Sequence, residues 1–414
     1  MRNDLQLAWR NLWRNRRRSM LSISAVVFAS AILVFMLSLA ANQYQLMIRA
    51  SVNGGTGYLQ ILADDYRDDP QVWLVIPDPE AVIHSLDGNP RVRATTVRSE
   101  GFSLLAGKDH ALGAMVIGID PETESRVTTV ADTVREGTFL KPEEFDRAVI
   151  GGLLARNLGI GAGDTVTLLG SARDGSIAAG DVVIQGLFET GQPEVDRSTL
   201  YVGRAFFDEV FRMEGAVHRI LIRSDSLWWL AEPAREIEGK VSGLGTKEHP
   251  LVTLTWRELL PGLLEGIELD MLIGGVMYLI LVLVVAFSIL NTFIMAVYER
   301  TREFGVMMAI GTTPWRLVRV LMLESGLLTL AGVLTGIALG SIITLYFARV
   351  GIDFGEEAAA YMVQYGLPPR AYPELSPVTA TLGPSVVLVV TLLAALLPVL
   401  KIRRLRPVEA IHTA

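Results

Sequence analysis

The sequence predicts an α-helical membrane protein with four transmembrane helices and a large extracytoplasmic α+β domain inserted between the first and second. Three observations predict it. The 414-residue chain is half apolar and only 20% charged, with a mean hydropathy of +0.39, less charge than a soluble protein of this size carries. Its charge is partitioned. Residues 47–270 hold 21 Lys/Arg against 35 Asp/Glu, a net of −14, whereas the rest holds 16 against 9, a net of +7. Four stretches outside the acidic block are long and apolar enough to cross about 30 Å of hydrocarbon, which takes about 20 residues. Together these exclude a wholly soluble enzyme and a disordered chain, and the overall charge of −7 argues against a nucleic-acid partner. The chain has no cysteine, hence no disulfide framework, thiolate zinc site or cysteine nucleophile.

Residues 1–19 read as an amphipathic helix at the cytoplasmic interface. Leu5, Ala8, Trp9, Leu12 and Trp13 share one face beside several arginines, a pattern that suits headgroup depth. The first span, residues 20–46, contains the uncharged run Met20–Ala41. A cleaved signal peptide has an apolar core of about 7–15 residues, so this longer run reads as a retained span. Residues 47–270 are the external domain and 271–298 the second span. Residues 299–317 form a cytoplasmic segment and 318–349 the third span, with one acid, Glu324. Residues 350–377 are an external loop, 378–400 the fourth span and 401–414 a cytoplasmic tail. Of the 16 basic residues outside the central block, 14 fall on one face. They are Arg2, Arg10, Arg14, Arg16, Arg17 and Arg18, then Arg300, Arg302, Arg316 and Arg319, then Lys401, Arg403, Arg404 and Arg406. Basic residues near span ends stay in the cytoplasm, so both termini are expected there and the central block outside.

Within the external block, β-rich runs at Tyr58–Leu62, Gly113–Ile119, Thr165–Leu169, Asp181–Phe188 and Arg219–Arg223 alternate with helical stretches at Arg204–Met213 and Trp228–Val241. Turn signals such as Asp87-Gly88 and Asp174-Gly175 separate them. The expected arrangement is an outer lobe of about 47–97 and 215–270 with an inserted lobe of about 98–214. The glycine-rich stretch 148–169 reads as a strand, short helix and tight turn. Gly107-Lys108 and Gly239-Lys240 are followed by Asp and Val, so there is no Walker phosphate cradle. The five histidines lack H-E-x-x-H spacing, and the Asp64-Asp65, Asp68-Asp69 cluster lacks EF-hand spacing and reads as a solvated loop. No catalytic constellation is recognisable.

The informative stretch is Asn291–Leu323. A span ends, a charged turn carries Glu299, Arg300, Arg302 and Glu303, a short amphipathic piece follows, and Gly311 with Pro314 breaks it. On composition alone, a motion-transmitting helix and a plain polar turn are equally good readings. The residues Glu299-Arg300-Thr301-Arg302-Glu303-Phe304-Gly305, continuing through Ala309-Ile310-Gly311-Thr312, closely resemble the coupling-helix segment of FtsX-like ABC transporter permeases. That superfamily includes MacB-type exporters and lipoprotein-releasing permeases of the LolC/LolE type. Three further segments resemble it: Ala8-Trp9-Arg10-Asn11-Leu12 with Asn15-Arg16-Arg17-Arg18, the tail Arg403 to Ile411, and Val149-Ile150-Gly151 to Leu158-Gly159 with Gly163-Asp164-Thr165-Val166.

The resemblance implies a permease subunit without catalysis of its own, in a bacterial inner membrane. It would act beside a second copy or a related permease, with two copies of a cytoplasmic ABC ATPase that bind the ATP and Mg; no cofactor is expected in this chain. Glu299 to Gly305 and Ala309 to Thr312 would then dock in a groove of that ATPase. The external domain would act mechanically on lipoproteins or other amphiphiles, with a periplasmic lipoprotein carrier or adaptor and membrane lipid as further partners. The alternatives are MacB-like efflux of peptides or drugs with an adaptor and an outer-membrane partner, or a mechanical regulator of envelope enzymes that transports nothing. The layout resembles the lipoprotein-releasing branch more than MacB, because no nucleotide-binding domain is fused.

Two features of the third span bear on this. Gly332, Gly336 and Gly340 line one face and admit a second helix closely, either within the subunit or at a subunit seam. Glu324 lies about one turn inside the boundary, where an acid is costly, and is expected to pair with Arg319, Arg316 or backbone donors of the cytoplasmic segment as a latch.

Overall fold

The computed structural model describes residues 2–14, 16–108, 110–246, 248–364 and 368–402. The tail motif from Arg403 to Ile411 and the side chains of Leu5, Leu12, Trp13, Arg18 and Lys401 lie outside the described set. In chain order the helices are α1 (Arg2–Arg14), α2 (Arg16–Ser51), α3 (Pro79–Ser85), α4 (Pro121–Val127), α5 (Gly152–Leu158), α6 (Pro193–Ser198) and α7 (Arg204–Phe211). They continue with α8 (Ala231–Val241), α9 (Trp256–Leu259), α10 (Pro261–Glu299), α11 (Thr301–Ala309), α12 (Pro314–Val350), α13 (Glu356–Gln364) and α14 (Pro377–Ile402). The chain divides into a helical unit (Met1–Gln45, Gly266–Asp353 and Arg370–Ala414) and an α/β unit (Leu46–Glu265 with Phe354–Pro369).

In the helical unit, α2, α10, α12 and α14 are long and apolar enough to cross a membrane. The α2 and α10 helices run past the apolar stretches. Nothing stops α2 until Asn53-Gly54-Gly55, where a π turn spans Val52–Thr56, and α10 starts at Pro261, a residue suited to a first turn. Val26, Ala29 and Leu33 of α2, Val282, Val285, Ile289 and Phe293 of α10, Val333 of α12, and Val387 of α14 form the core. The opposite face of α10, including Met277, Ile280, Val284 and Phe287, is exposed, as suits a helix bathed in lipid. The segment at 350–377 is not a plain loop, because it contains α13 and a bridge between Ile352 and Ala371.

The glycine face of α12 settles between the two sequence readings. A Cβ on Gly332 would lie 2.8 Å from Val26 Cβ, one on Gly336 2.5 Å from Ser30 Cβ and 2.9 Å from the Val27 carbonyl, and one on Gly340 2.9 Å from Ala31 Cα. The stripe therefore seats α2 of the same chain. Gly336→Leu is expected to destabilise this packing by at least the ~1–3 kcal/mol typical of overpacking, because backbone as well as side chain stands in the way. Thermal melting of the detergent-solubilised chain checks it. Gly275→Leu on α10, where an added Cβ meets nothing within 4 Å, is the control that leaves the midpoint unchanged.

The α/β unit is built on one ten-stranded mixed sheet. Its strands are β1 (Leu59–Ala63), β2 (Val92–Ala106), β3 (Ala111–Ile119), β4 (Val134–Gly137), β5 (Arg147–Gly151), β6 (Thr165–Ser171), β7 (Ile177–Phe188), β8 (Thr199–Gly203), β9 (Arg219–Ser224) and β10 (Leu251–Thr255). The order is β10-β1-β9-β2-β3-β8-β5-β7-β4, with β6 beside β2 and β7. The pairs β3–β8 and β5–β7 are parallel. The long β2 runs across the expected lobe boundary: Val92–Arg98 pairs with β9, and Arg98–Ala106 pairs with β3. Leu105, Val116, Ile150, Leu154, Leu158, Val166, Leu168, Phe207 and Phe211 fill the space between the sheet and α5 and α7.

All five strands expected from sequence are present, although their ends differ by a few residues. The stretch 148–169 folds as a strand, short helix and turn, with Gly159 left-handed (φ 68°) at the end of α5. Four further strands, β2, β4, β8 and β10, carry no clear period-2 signal. Two helix ends are corrected. The α7 helix stops at Phe211 because Arg212 is left-handed. The α8 helix starts at Ala231, not Trp228, because the Ser226 hydroxyl accepts the amides of Trp228 and Trp229 and holds them in a turn. The acidic cluster lies in the turn after β1, where Asp65 faces His249 at 3.5 Å and Arg67 faces Asp68 at 3.8 Å.

Candidate functional site

The chain turns sharply between α10 and α12. Arg300 leaves the helical line at the end of α10, and the Thr301 hydroxyl donates back to the Val297 carbonyl at 2.8 Å. The α11 helix then runs nine residues and ends where Gly311 takes φ 98°, a conformation that costs a glycine nothing. The Gly311 and Thr312 amides donate to the Met308 and Met307 carbonyls at 3.1 and 2.9 Å, closing the helix end. Thr313 is extended and Pro314 opens α12. Sequence punctuation alone thus makes an elbow with two defined hinges.

The residues singled out in the elbow divide by face. Phe304 and Gly305 point inward. Phe304 is packed with Val297, Leu317, Val318 and Leu321, with Met307, Met308 and Met322 at the edge. These two were expected to meet a partner, and the structure corrects that: they form the elbow's own core, because a nine-residue helix tethered at both ends must bury one stripe against its neighbours. Arg302, Glu303, Ala309, Ile310 and Gly311 face outward, as does Glu299 at the end of α10, while Thr301 and Thr312 are half-buried at the hinges. Arg302, Val306, Ala309 and Ile310 recur at i, i+4, i+7 and i+8 and so share one helical face. Val306 and Ile310 are 50% and 78% exposed, and Trp315 follows at 57%. Val306 was read in the sequence as part of the amphipathic piece, with Phe304, Met307 and Ile310, but not as a docking residue, and Trp315 was not singled out.

Among the described residues three ion pairs hold the elbow. Arg300 Nη1 lies 3.4 Å from Glu324 Oε2, both side chains nearly buried. This replaces the expected pairing of Glu324 with Arg319 or Arg316. Arg319 is five residues before Glu324, off the i, i+4 spacing that lets side chains meet, whereas Arg300 faces α12 from the end of α10. Arg316 instead donates from Nε to Asp4 Oδ1 at 3.0 Å, and Arg14 Nη2 donates to both oxygens of Glu303 at 3.0 and 2.9 Å. Asp4 is buried because α1 packs along α12, with Ala8 fully covered.

A second polar centre, in the α/β unit, was missed. Arg98 of β2 is buried against the fully buried Glu124 of α4, and it donates from Nη1 to the Gly55 carbonyl in the π turn at 2.7 Å. Thr128 donates to Glu124 Oε1 at 2.6 Å. Two residues on, Glu100 pairs with Arg219 at 3.1 Å and accepts from the Tyr66 hydroxyl at 3.0 Å. The signal was available: opposite charges two apart in a strand-like run, Arg98-Ser99-Glu100.

The Glu100 amide donates to His218 Nδ1 at 2.8 Å, and His218 Nε2 lies 3.0 Å from the Val72 carbonyl. With Nδ1 accepting, Nε2 must donate, so the ring is held neutral, and burial lowers its pKa to about 4. The unfolded chain takes up this proton below the ordinary value of 6.5 and the folded chain refuses it. Stability is therefore expected to fall as pH drops from about 6.5 towards 4, by up to about 3 kcal/mol from this group. Melting of the full chain across that window checks it, with a shallower slope expected in His218→Gln.

Two family profiles match the chain. Residues 275–407 match the FtsX-like permease C-terminal family, and residues 19–227, half of the chain, match the MacB-like periplasmic core domain. The chain belongs to the FtsX/MacB-type permeases of ABC transporters. It is 26% identical over 343 residues to the lipoprotein-releasing system transmembrane protein LolC of Xylella fastidiosa, covering 78% of each chain. It is 24% identical over 418 residues to the pyoverdine export ATP-binding/permease protein PvdT of Pseudomonas fluorescens, covering 91% of this chain and 58% of that one. The crystal structure of the periplasmic region of MacB from Actinobacillus actinomycetemcomitans aligns with 49% of this chain and 90% of its own, at 14% identity and a TM-score of 0.35. With four apolar helices, the family places the chain in a bacterial inner membrane as an ABC permease subunit of the LolC, MacB and PvdT type.

Proposed function

We propose that this permease works with a separate cytoplasmic ABC ATPase and extracts lipoproteins or other amphiphiles from the inner membrane by moving its inserted domain on the periplasmic side. The observation that carries the coupling is the outward face of α11, Arg302, Val306, Ala309 and Ile310, an apolar patch edged by charge on a helix tethered at both ends to membrane spans. Such a face has the make-up of a helix-in-groove contact. In this reading ATP and Mg are bound by the partner ATPase, in two copies, and the lack of a Walker motif among these 414 residues supports that division of labour. The distribution of arginines supports a cytoplasmic side for α11 and both termini. Lipoprotein release is favoured by the match to LolC over most of both chains. A second reading, efflux of peptides or drugs with an adaptor and an outer-membrane partner, is favoured by the matches to the pyoverdine export protein PvdT and the macrolide export protein MacB.

The test is affinity purification from native membranes in mild detergent with mass spectrometry of stoichiometric partners. The expected result is an ABC ATPase, a second permease copy or a related permease, and co-purifying lipoprotein. A periplasmic adaptor in place of lipoprotein would move the reading to export, and recovery of no ATPase would overturn the coupling assignment.

A further inference from the structure

Beside α1 a cleft of about 220 Å³ opens between α2 and α12. Met20 and Ile23 form one wall and Leu328 and Ala331 the other, so its lining is almost wholly carbon, with Trp9 and Arg16 also contributing to it. Seven residues separate Arg16 from Ile23, a rise of about 10 Å along α2. That is short of the ~15 Å half-thickness of a bilayer core. The trough thus stays within one leaflet, with a cation at one end and beside it a tryptophan, a residue that favours the interface.

We propose that this trough seats one anionic glycerophospholipid, with part of an acyl chain between Ile23 and Ala331 and the phosphate on Arg16. The choice of leaflet rests on the cytoplasmic orientation proposed above; the binding itself does not. Two observations select an anionic lipid over a neutral one. Arg17, next to Arg16 in α2, and Arg10 of α1 are exposed, and a guanidinium has five donors, enough to take a phosphate beside an existing protein partner. The acids of this region are committed elsewhere, Asp4 to Arg316 and Glu303 to Arg14, so the rim stays basic. Basic segments at the cytoplasmic end of a span attract anionic lipid, and here a concave apolar wall adds a defined place for the chain.

The seat has a mechanical consequence. The α1 helix reaches the elbow through Arg14–Glu303 and Asp4–Arg316, so a lipid wedged beside Trp9 braces the helix that braces α11.

The experiment uses the purified full chain in detergent, titrated with phosphatidylglycerol or phosphatidylcholine carrying brominated acyl chains, which quench tryptophan on contact. Brominated phosphatidylglycerol is expected to quench a saturable part of the emission at a mole fraction about tenfold below that needed with phosphatidylcholine. Such a ratio matches one charge-assisted hydrogen bond. Trp9→Phe should remove the saturable part, Arg16→Gln should raise its midpoint about tenfold, and Ala331→Phe should abolish it by filling the trough. Equal quenching by the two lipids, or a saturable part that survives in Trp9→Phe or Ala331→Phe, would overturn the proposal. Because no ATPase is present, failure here leaves the coupling assignment standing, and failure to recover an ATPase leaves the lipid result standing.

Discussion

Ile310→Asp is expected to reach the membrane in normal amount and to lose its ATPase. The side chain is 78% exposed on the outward face of α11, so a carboxylate there costs the isolated chain almost nothing. In a docked complex the same carboxylate would be buried against apolar surface, at a cost of several kcal/mol unless it finds a partner. Every 1.4 kcal/mol is tenfold in affinity, so recovered ATPase should fall by at least about tenfold. Co-purification from membranes expressing both chains measures it, and normal recovery would refute the docking face. Phe304→Ala should behave differently. It removes the centre of the elbow's own core, at a cost of about 3–5 kcal/mol locally, and should make residues 300–312 protease-sensitive whether or not an ATPase is present.

Glu124→Ala carries the largest expected loss of stability in the α/β unit. It strands the Arg98 guanidinium, buried and without a counterion, which costs about 3–5 kcal/mol. Removing both charges together, as Arg98→Met with Glu124→Leu, should recover most of that, because well-packed apolar pairs often replace buried ion pairs without loss. The recovery should stop short of complete, since the Gly55 carbonyl loses its donor. Hydrogen exchange of the full chain reads both effects: faster exchange in β2 for Glu124→Ala, and faster exchange confined to residues 52–58 for the double variant. An unfolding free energy for Glu124→Ala within 1 kcal/mol of the parent would show that Arg98 is compensated in another way.

The spans were legible because lipid leaves a chain one way to satisfy its backbone, a long apolar helix. The elbow was legible from Gly311-Thr312-Thr313-Pro314, where conformational preference alone forces a break. The side of α11 that faces home was not. Phe304, Met307 and Met308 on one face and Val306 and Ile310 on the other are comparably apolar, and only the position of α12 decides which set is covered. The partner of Glu324 was hidden for a similar reason, since Arg300 is 24 residues away and tertiary structure brings it near. In β2, Arg98 and Glu100 disguise a central strand, because buried charges that neutralise neighbours look the same in a sequence as charges meant for water. The five strands that were found keep an uninterrupted β-rich run, such as Met115–Ile119 in β3 and Ile220–Ile222 in β9, with no charge inside it.

The pairing of β1 with β10, register Leu59 with Thr255, has a consequence for ancestry and engineering. The first and last strands of the sheet in chain order are adjacent and antiparallel, so Leu59 and Thr255 lie about one strand spacing, ~5 Å, apart. A module with such neighbouring ends can be lifted out and replaced by any other whose ends also meet, without stretching the helices that carry it. Exchange of the segment between Leu59 and Thr255 among permeases of this type should therefore yield chimaeras that still insert in the membrane, as measured by their recovery from the membrane fraction. Gene recombination at these two points would exchange the whole sheet in one step.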